Sequence, residues 1–79
     1  MAEHILKIGD EYLNNLLQEK KRVEIRCNDR DYQVGDTLRF AQYKLGNAKH
    51  YWFTITHIHS GLGMAANYVA LSVELLEGE

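Results

Sequence analysis

The run from residue 50 to 59, HYWFTITHIH, admits little but a long β-strand. Aromatic and β-branched side chains hold seven of its ten positions. Such side chains lose χ1 freedom against the preceding turn of a helix but pack well on a pleated surface. One strand is not stable alone, so the rest of the chain must supply neighbours. The alternation is imperfect: Phe53 and Ile55 share a face with His57, and Trp52 shares one with Ile58. A bulge, or burial on both faces, would resolve this. Tyr51 and Trp52 are expected to pack in the core.

Neighbouring strands are easy to find. Residues 68–76 alternate cleanly, with Val69, Leu71, Val73 and Leu75 predicted inside. Residues 37–43 place Leu38 and Phe40 inside and Arg39, Ala41 and Tyr43 outside. Residues 4–8 form a short strand apolar enough to be mostly buried. Gly9 ends it, and Asp10 is suited to cap a helix over 10–19 whose stripe is Tyr12, Leu13, Leu16 and Leu17. Lys20 and Lys21 suit the negative end of that helix. Polar and glycine-containing turns at 28–31, 35–36, 45–48 and 60–64 separate the pieces, and the tail 77–79 is expected to fray. The reading is a single domain over 1–79, α+β and β-rich: about five strands curled into a small barrel, with one short helix.

The remaining stretch, 19–36 (EKKRVEIRCNDRDYQVGD), carries five of the nine basic residues. Residues 20–30 have a net charge of +3, whereas the other sixty-eight have −5. The overall charge of −2 argues against bulk attraction to nucleic acid, but the polarity would dock a polyanion in one orientation. Residues 22–27 read as a strand with Val23, Ile25 and Cys27 on its apolar, inward face. Arg22, Glu24 and Arg26 then form a polar row at roughly 6.6 Å spacing. Cys27 is the sole cysteine, predicted to be a buried and unreactive thiol, which suits a reducing, cytoplasmic setting. Neither a membrane span nor a leader peptide is expected.

The same stretch carries a family resemblance. EKKRVEIR resembles the G-x-K-x-x-E-x-R signature of ASCH domains, small members of the PUA-like β-barrel superfamily. Lys21, Glu24 and Arg26 stand at its fixed positions, and Glu19 stands where the family usually has Gly. HILKIGDEYLNNLLQEKK resembles the strand–helix opening, NDRDYQVGDTLRF the segment after the signature and NYVALSVELL the closing strand. Over nearly its whole length the chain is similar to compact bacterial and phage ASCH-like domains of uncharacterised function. The resemblance implies a PUA-like barrel and RNA binding on this kind of surface.

Arginines grip phosphate oxygens in a forked geometry, and a carboxylate accepts hydrogen bonds from exocyclic amino groups of bases. The ligand groove is therefore assigned to Lys21, Arg22, Glu24 and Arg26, with Arg30, Arg39, Tyr43 and Tyr68 as flanking contacts. The bland alternative is an ion-pair ladder on a solvated strand. Of the aromatic residues that could stack on bases (Tyr32, Tyr43, Tyr51, Trp52 and Tyr68), Tyr43 and Tyr68 lie on polar faces and suit the role best. Four or five cations correspond to a log-affinity against log-salt slope of about −3 for a single strand.

Other constellations are weaker. His57-x-His59 supplies two imidazoles where a zinc centre needs three or four ligands, so no metal and no cofactor are expected. Gly61-Leu62-Gly63 lacks the strand–loop–helix setting of a phosphate loop. Some ASCH-like proteins are acetylcytidine amidohydrolases, for which the resemblance implies a Lys and a Thr near the signature and a distant Glu. Lys21 fits the Lys, but Glu24 stands at the Thr, and Thr37, Thr54 and Thr56 lie elsewhere. A Lys21–Glu24 pair could still polarise water. The expectation is a monomeric, non-enzymatic module for RNA or a nucleotide-like ligand. A small nucleoside amidohydrolase and a protein-contact accessory domain are the alternatives.

Overall fold

The computed structural model describes residues 1–19 and 21–78. Its elements are β1 (Glu3–Leu6), α1 (Asp10–Leu17), β2 (Val23–Cys27), β3 (Thr37–Lys44), β4 (Asn47–His59) and β5 (Tyr68–Gly78). All five strands join one sheet in the order β1-β3-β4-β5-β2. β1 runs parallel to β3, and the other pairs are antiparallel. The sheet curls into a half-barrel whose open edges are β1 and β2. This is the β-rich α+β architecture expected from the strand pattern.

The core fills the concave side. Leu38 and Phe40 of β3, Phe53 and Ile55 of β4, and Val69, Leu71 and Val73 of β5 are buried there. α1 closes over them with Leu13 and Leu16, and Gln42 of β3 donates to the Asn14 side chain at 3.3 Å. Phe40 and Phe53 meet edge to face at 5.8 Å between centroids. The long strand expected at 50–59 starts earlier, at Asn47, as one arm of a hairpin turned by Leu45 and Gly46, both at positive φ. Its broken alternation is a bulge: Ile55 pairs with Val73 and His57 with Ser72, leaving Thr56 as the extra residue. The bulge sends His57 outward and returns Ile58 to the inner side, opposite Leu71.

Several expectations need correction. β2 is turned over: Val23, Ile25 and Cys27 face outward, and Glu24 is buried at 6 % exposure. The register decides this, because Glu24 pairs with Leu71 and Arg26 with Val69, both inward-facing in β5. Cross-strand partners share a face, so β5 carries Glu24 and Arg26 inside. Cys27 is therefore an exposed thiol, not a buried one. β1 is shorter than the predicted 4–8 and only half-buried, with Ile5 58 % exposed on the outer face.

Trp52 lies outside the core, half-buried on the outer side, with its Nε1 donating to Glu3 at 2.8 Å. Leu75 is half-exposed beside an irregularity in the β4–β5 register, and β5 continues to Gly78 where a frayed tail was expected. α1 is capped by Gly9, whose carbonyl accepts the Leu13 N–H at 3.0 Å; Asp10 sits in the first turn, where its charge suits the positive end. The helix stops at Leu17, two residues before the predicted end. Lys20, expected at that end, lies outside the described residues.

β1 has only β3 as a neighbour and is held down by a buried polar knot. Asp36 accepts the Ala2 N–H at 2.9 Å and the Gln33 N–H at 3.0 Å, and its other contact is His4 Nε2 at 2.8 Å. The His4 ring packs on buried Tyr32, 4.7 Å between centroids.

Candidate ligand-binding site

Glu24 is the pivot of the site. β2 carries it inward, where a lone carboxylate would be strongly disfavoured. Two cations offset that cost. Lys21 Nζ approaches Oε1 at 3.4 Å, and Arg26 Nη2 donates to Oε2 at 3.2 Å. The same Arg26 nitrogen donates to the Lys7 carbonyl at 2.6 Å, just past the end of β1. One guanidinium thus joins both open edges of the half-barrel. Arg26 also lies over the Phe40 ring at 5.8 Å and Lys21 over the Tyr12 ring at 5.2 Å, so both cations are braced by aromatic faces.

Beside Arg26 the edges stand apart and enclose an open hollow of about 680 Å³. Its size is that of a small-molecule site. The chain leaving β1 forms one wall, from Ile5 to Ile8, and Arg26 and Cys27 form the other. The loop after β2 adds Asp29, Arg30 and Tyr32, and β3 adds Ala41 and Tyr43. Tyr43 is 70 % exposed and offers a ring at the rim. Burial pushes the Tyr32 phenol above its usual pKa, opposed by the positive charge of Arg26.

The predicted groove is therefore divided. Arg26, Arg30 and Tyr43 meet at the large hollow. Lys21 and Arg22 border a separate recess of about 190 Å³ on the α1 side. Arg22 is exposed and reaches Glu19 at 3.7 Å. Arg39 lies on the outer face of β3, over the Trp52 ring at 6.0 Å and 3.9 Å from Glu3. Tyr68 projects outward opposite Cys27. Lys7, Asp10 and Asp29 line the hollow without having been singled out. Lys21 and Arg26 flank Glu24 in the sequence, but the alternation of VEIRC does not say which of its faces is buried.

The hydroxyls of Thr37 and Thr54 lie on opposed residues of β3 and β4, and that of Thr56 donates to the Ser72 carbonyl at 3.3 Å. Lys21 Nζ makes its hydrogen bond to Glu24. Among the described residues no three His, Cys, Asp or Glu side chains converge as a metal would require, and no helix is long and apolar enough to cross a membrane.

Residues 3–73 match the family described as Domain of unknown function (DUF3850). The chain belongs to the DUF3850 family. The matched span runs from the first residue of β1 to Val73 in β5, so it contains the Lys21–Glu24–Arg26 cluster and every wall of the hollow. The site is thus part of the DUF3850 domain and not an addition to it. No curated protein matches the chain.

Proposed function

We propose that this DUF3850 domain is a non-enzymatic, cytoplasmic binding module of the ASCH, PUA-like kind that takes RNA or a nucleotide-like ligand in the hollow between β1 and β2. Arg26 and Arg30 bind phosphate, Tyr43 stacks on a base, and Glu24 with Lys21 holds the Arg26 guanidinium in place. The observation that carries this reading is the shared position of Arg26, Arg30 and Tyr43 on one open cavity of nucleotide size. The signature resemblance supports it from the sequence side. Arg22, Arg39 and Tyr68 drop to peripheral roles, because they lie off the hollow.

With Lys7, Arg26 and Arg30 as the available cations, the salt slope for a single-stranded ligand falls from the earlier −3 to about −2. Fluorescence titration of short RNA oligonucleotides and mononucleotides at several salt concentrations measures it. Arg30→Ala and Tyr43→Ala, both at exposed positions, should each weaken binding without loss of fold. Equal affinity of parent and both variants for every ligand tried would remove the hollow as the site.

The amidohydrolase alternative rests on the 3.4 Å contact between Lys21 and Glu24, which could polarise water. Incubation with acetylated cytidine and detection of free acetate decides it. Release that depends on Lys21 would replace the binding reading.

A further inference from the structure

β2 is an edge strand whose residue order is its own complement. On one flank, Val73 N–H donates to the Arg22 carbonyl at 2.9 Å and Asn28 N–H to the Asn67 carbonyl at 2.6 Å. Backbone groups alternate along an antiparallel strand, so Glu24 and Arg26 also direct theirs at β5. Val23, Ile25 and Cys27 direct theirs at the open flank. Among the described residues, the N–H and C=O of Val23 and Ile25 and the N–H of Cys27 have no hydrogen-bond partner there. The side chains of these three residues form an exposed apolar row on the outer face, Ile25 at 58 %. Natural edge strands are usually guarded by short length, Pro, Lys, inward-pointing charge, a bulge or a cover. This strand, VEIRC, is short and carries inward charges, but these are of opposite sign (Glu24 and Arg26); it contains neither Pro nor Lys, and its register with β5 is unbroken. Arg26 crosses to the Lys7 carbonyl through its side chain and takes up none of these backbone groups.

We propose that β2 pairs with β2 of a second copy of this chain, antiparallel, about a two-fold axis through Ile25. In that register Ile25 meets its own counterpart, Val23 meets Cys27, and Glu24 meets Arg26 of the other copy. The outer row becomes continuously apolar, and the inner row avoids like-charge neighbours while each Glu24 keeps the pairs with Lys21 and Arg26 of its own copy. Sliding the partner by two residues either way puts Glu24 opposite Glu24 or Arg26 opposite Arg26, a like-charge pairing that is destabilising. The backbone phase agrees: Ile25 directs both its groups outward, so the central pair exchanges two N–H···O=C bonds across the axis. The interface is isologous, as a closed two-fold dimer requires. The proposal does not rest on the ligand reading, although Arg26 and Cys27 of the same strand also wall the hollow, and it revises the monomer expected from the sequence.

Sedimentation equilibrium of the full chain over a range of concentrations tests the idea. The parent should be a dimer. Ile25→Lys should be monomeric with an unchanged circular dichroism spectrum and thermal midpoint, since its side chain projects into solvent. A hydrogen-bonded antiparallel pair holds its Cα atoms about 5.5 Å apart, within disulfide range. Ile25→Cys in a Cys27→Ser background should therefore give a reductant-sensitive covalent dimer under mild oxidation. A parent that stays monomeric at every concentration overturns the proposal. So does an Ile25→Lys variant that dimerises like the parent, and a failure to cross-link at position 25 overturns the register.

Discussion

Glu19 adopts φ +58°, in the left-handed region that disfavours any residue with a Cβ. It follows the α1 cap residue Gln18, at the position where the resembled signature carries glycine. The left-handed conformation costs a non-glycine residue roughly 1–2 kcal/mol. Glu19 recovers little of this, because its 3.7 Å pair with Arg22 is exposed and such pairs contribute about 0–1 kcal/mol. Glu19→Gly should therefore stabilise the fold by about 1 kcal/mol, since glycine adopts the conformation without that penalty. Urea unfolding measures the gain, and an unchanged or lower midpoint would contradict it. Glu24 teaches the opposite lesson at the same scale. Its type predicts exposure, yet two cations and the register with β5 place it inside.

At the scale of elements, β1 depends on Asp36. The strand has four residues and one neighbour, and its start is secured through Ala2, His4 and Gln33. The Ala2 N–H and the His4 ring favour the anion and, against the effect of burial, lower the Asp36 pKa from 3.8 to about 2. A carboxyl depressed on folding stabilises the protein above its unfolded pKa, and that contribution is lost as pH falls through the folded value. Stability should thus decline between about pH 4 and pH 2. Asp36→Asn should be less stable near neutrality and should lack this part of the acid slope. Chemical denaturation from pH 2 to 7 compares the two, and parallel profiles would show that Asp36 is not the titrating group. Little of this was legible in the sequence, because the partners are thirty-two residues or more apart for His4 and Ala2. Asp36 read there simply as a turn residue after Gly35.

For the whole molecule, the order β1-β3-β4-β5-β2 leaves two strands with single neighbours and three with two. Amide protection should follow. In dilute protein the amides of Phe53, Ile55, Leu71 and Val73, in the doubly flanked strands, should exchange slowest. Within β2, Val23 and Ile25 should exchange faster than Glu24 and Arg26, which face β5. Hydrogen exchange followed by NMR reads each amide, and uniform protection along β2 in the monomer would rule out the open flank. On the dimer proposal, the Ile25 amide should slow as concentration rises.

The number of strands, their approximate places and the inward positions of Leu38 and Phe40 in β3 and of Val69, Leu71 and Val73 in β5 follow from the sequence alone. Aromatic and β-branched runs admit few other conformations, and a period of two marks the buried side wherever one face is plainly apolar. Tertiary structure decided which side of β2 is inside. VEIRC alternates equally well either way up, and only its register against β5, together with the charges on Lys21 and Arg26, selects the orientation that buries Glu24. The hollow likewise belongs to no single segment. It exists because two strands far from adjacent in the sheet order bend toward each other and stop short, leaving Arg26 to span the gap.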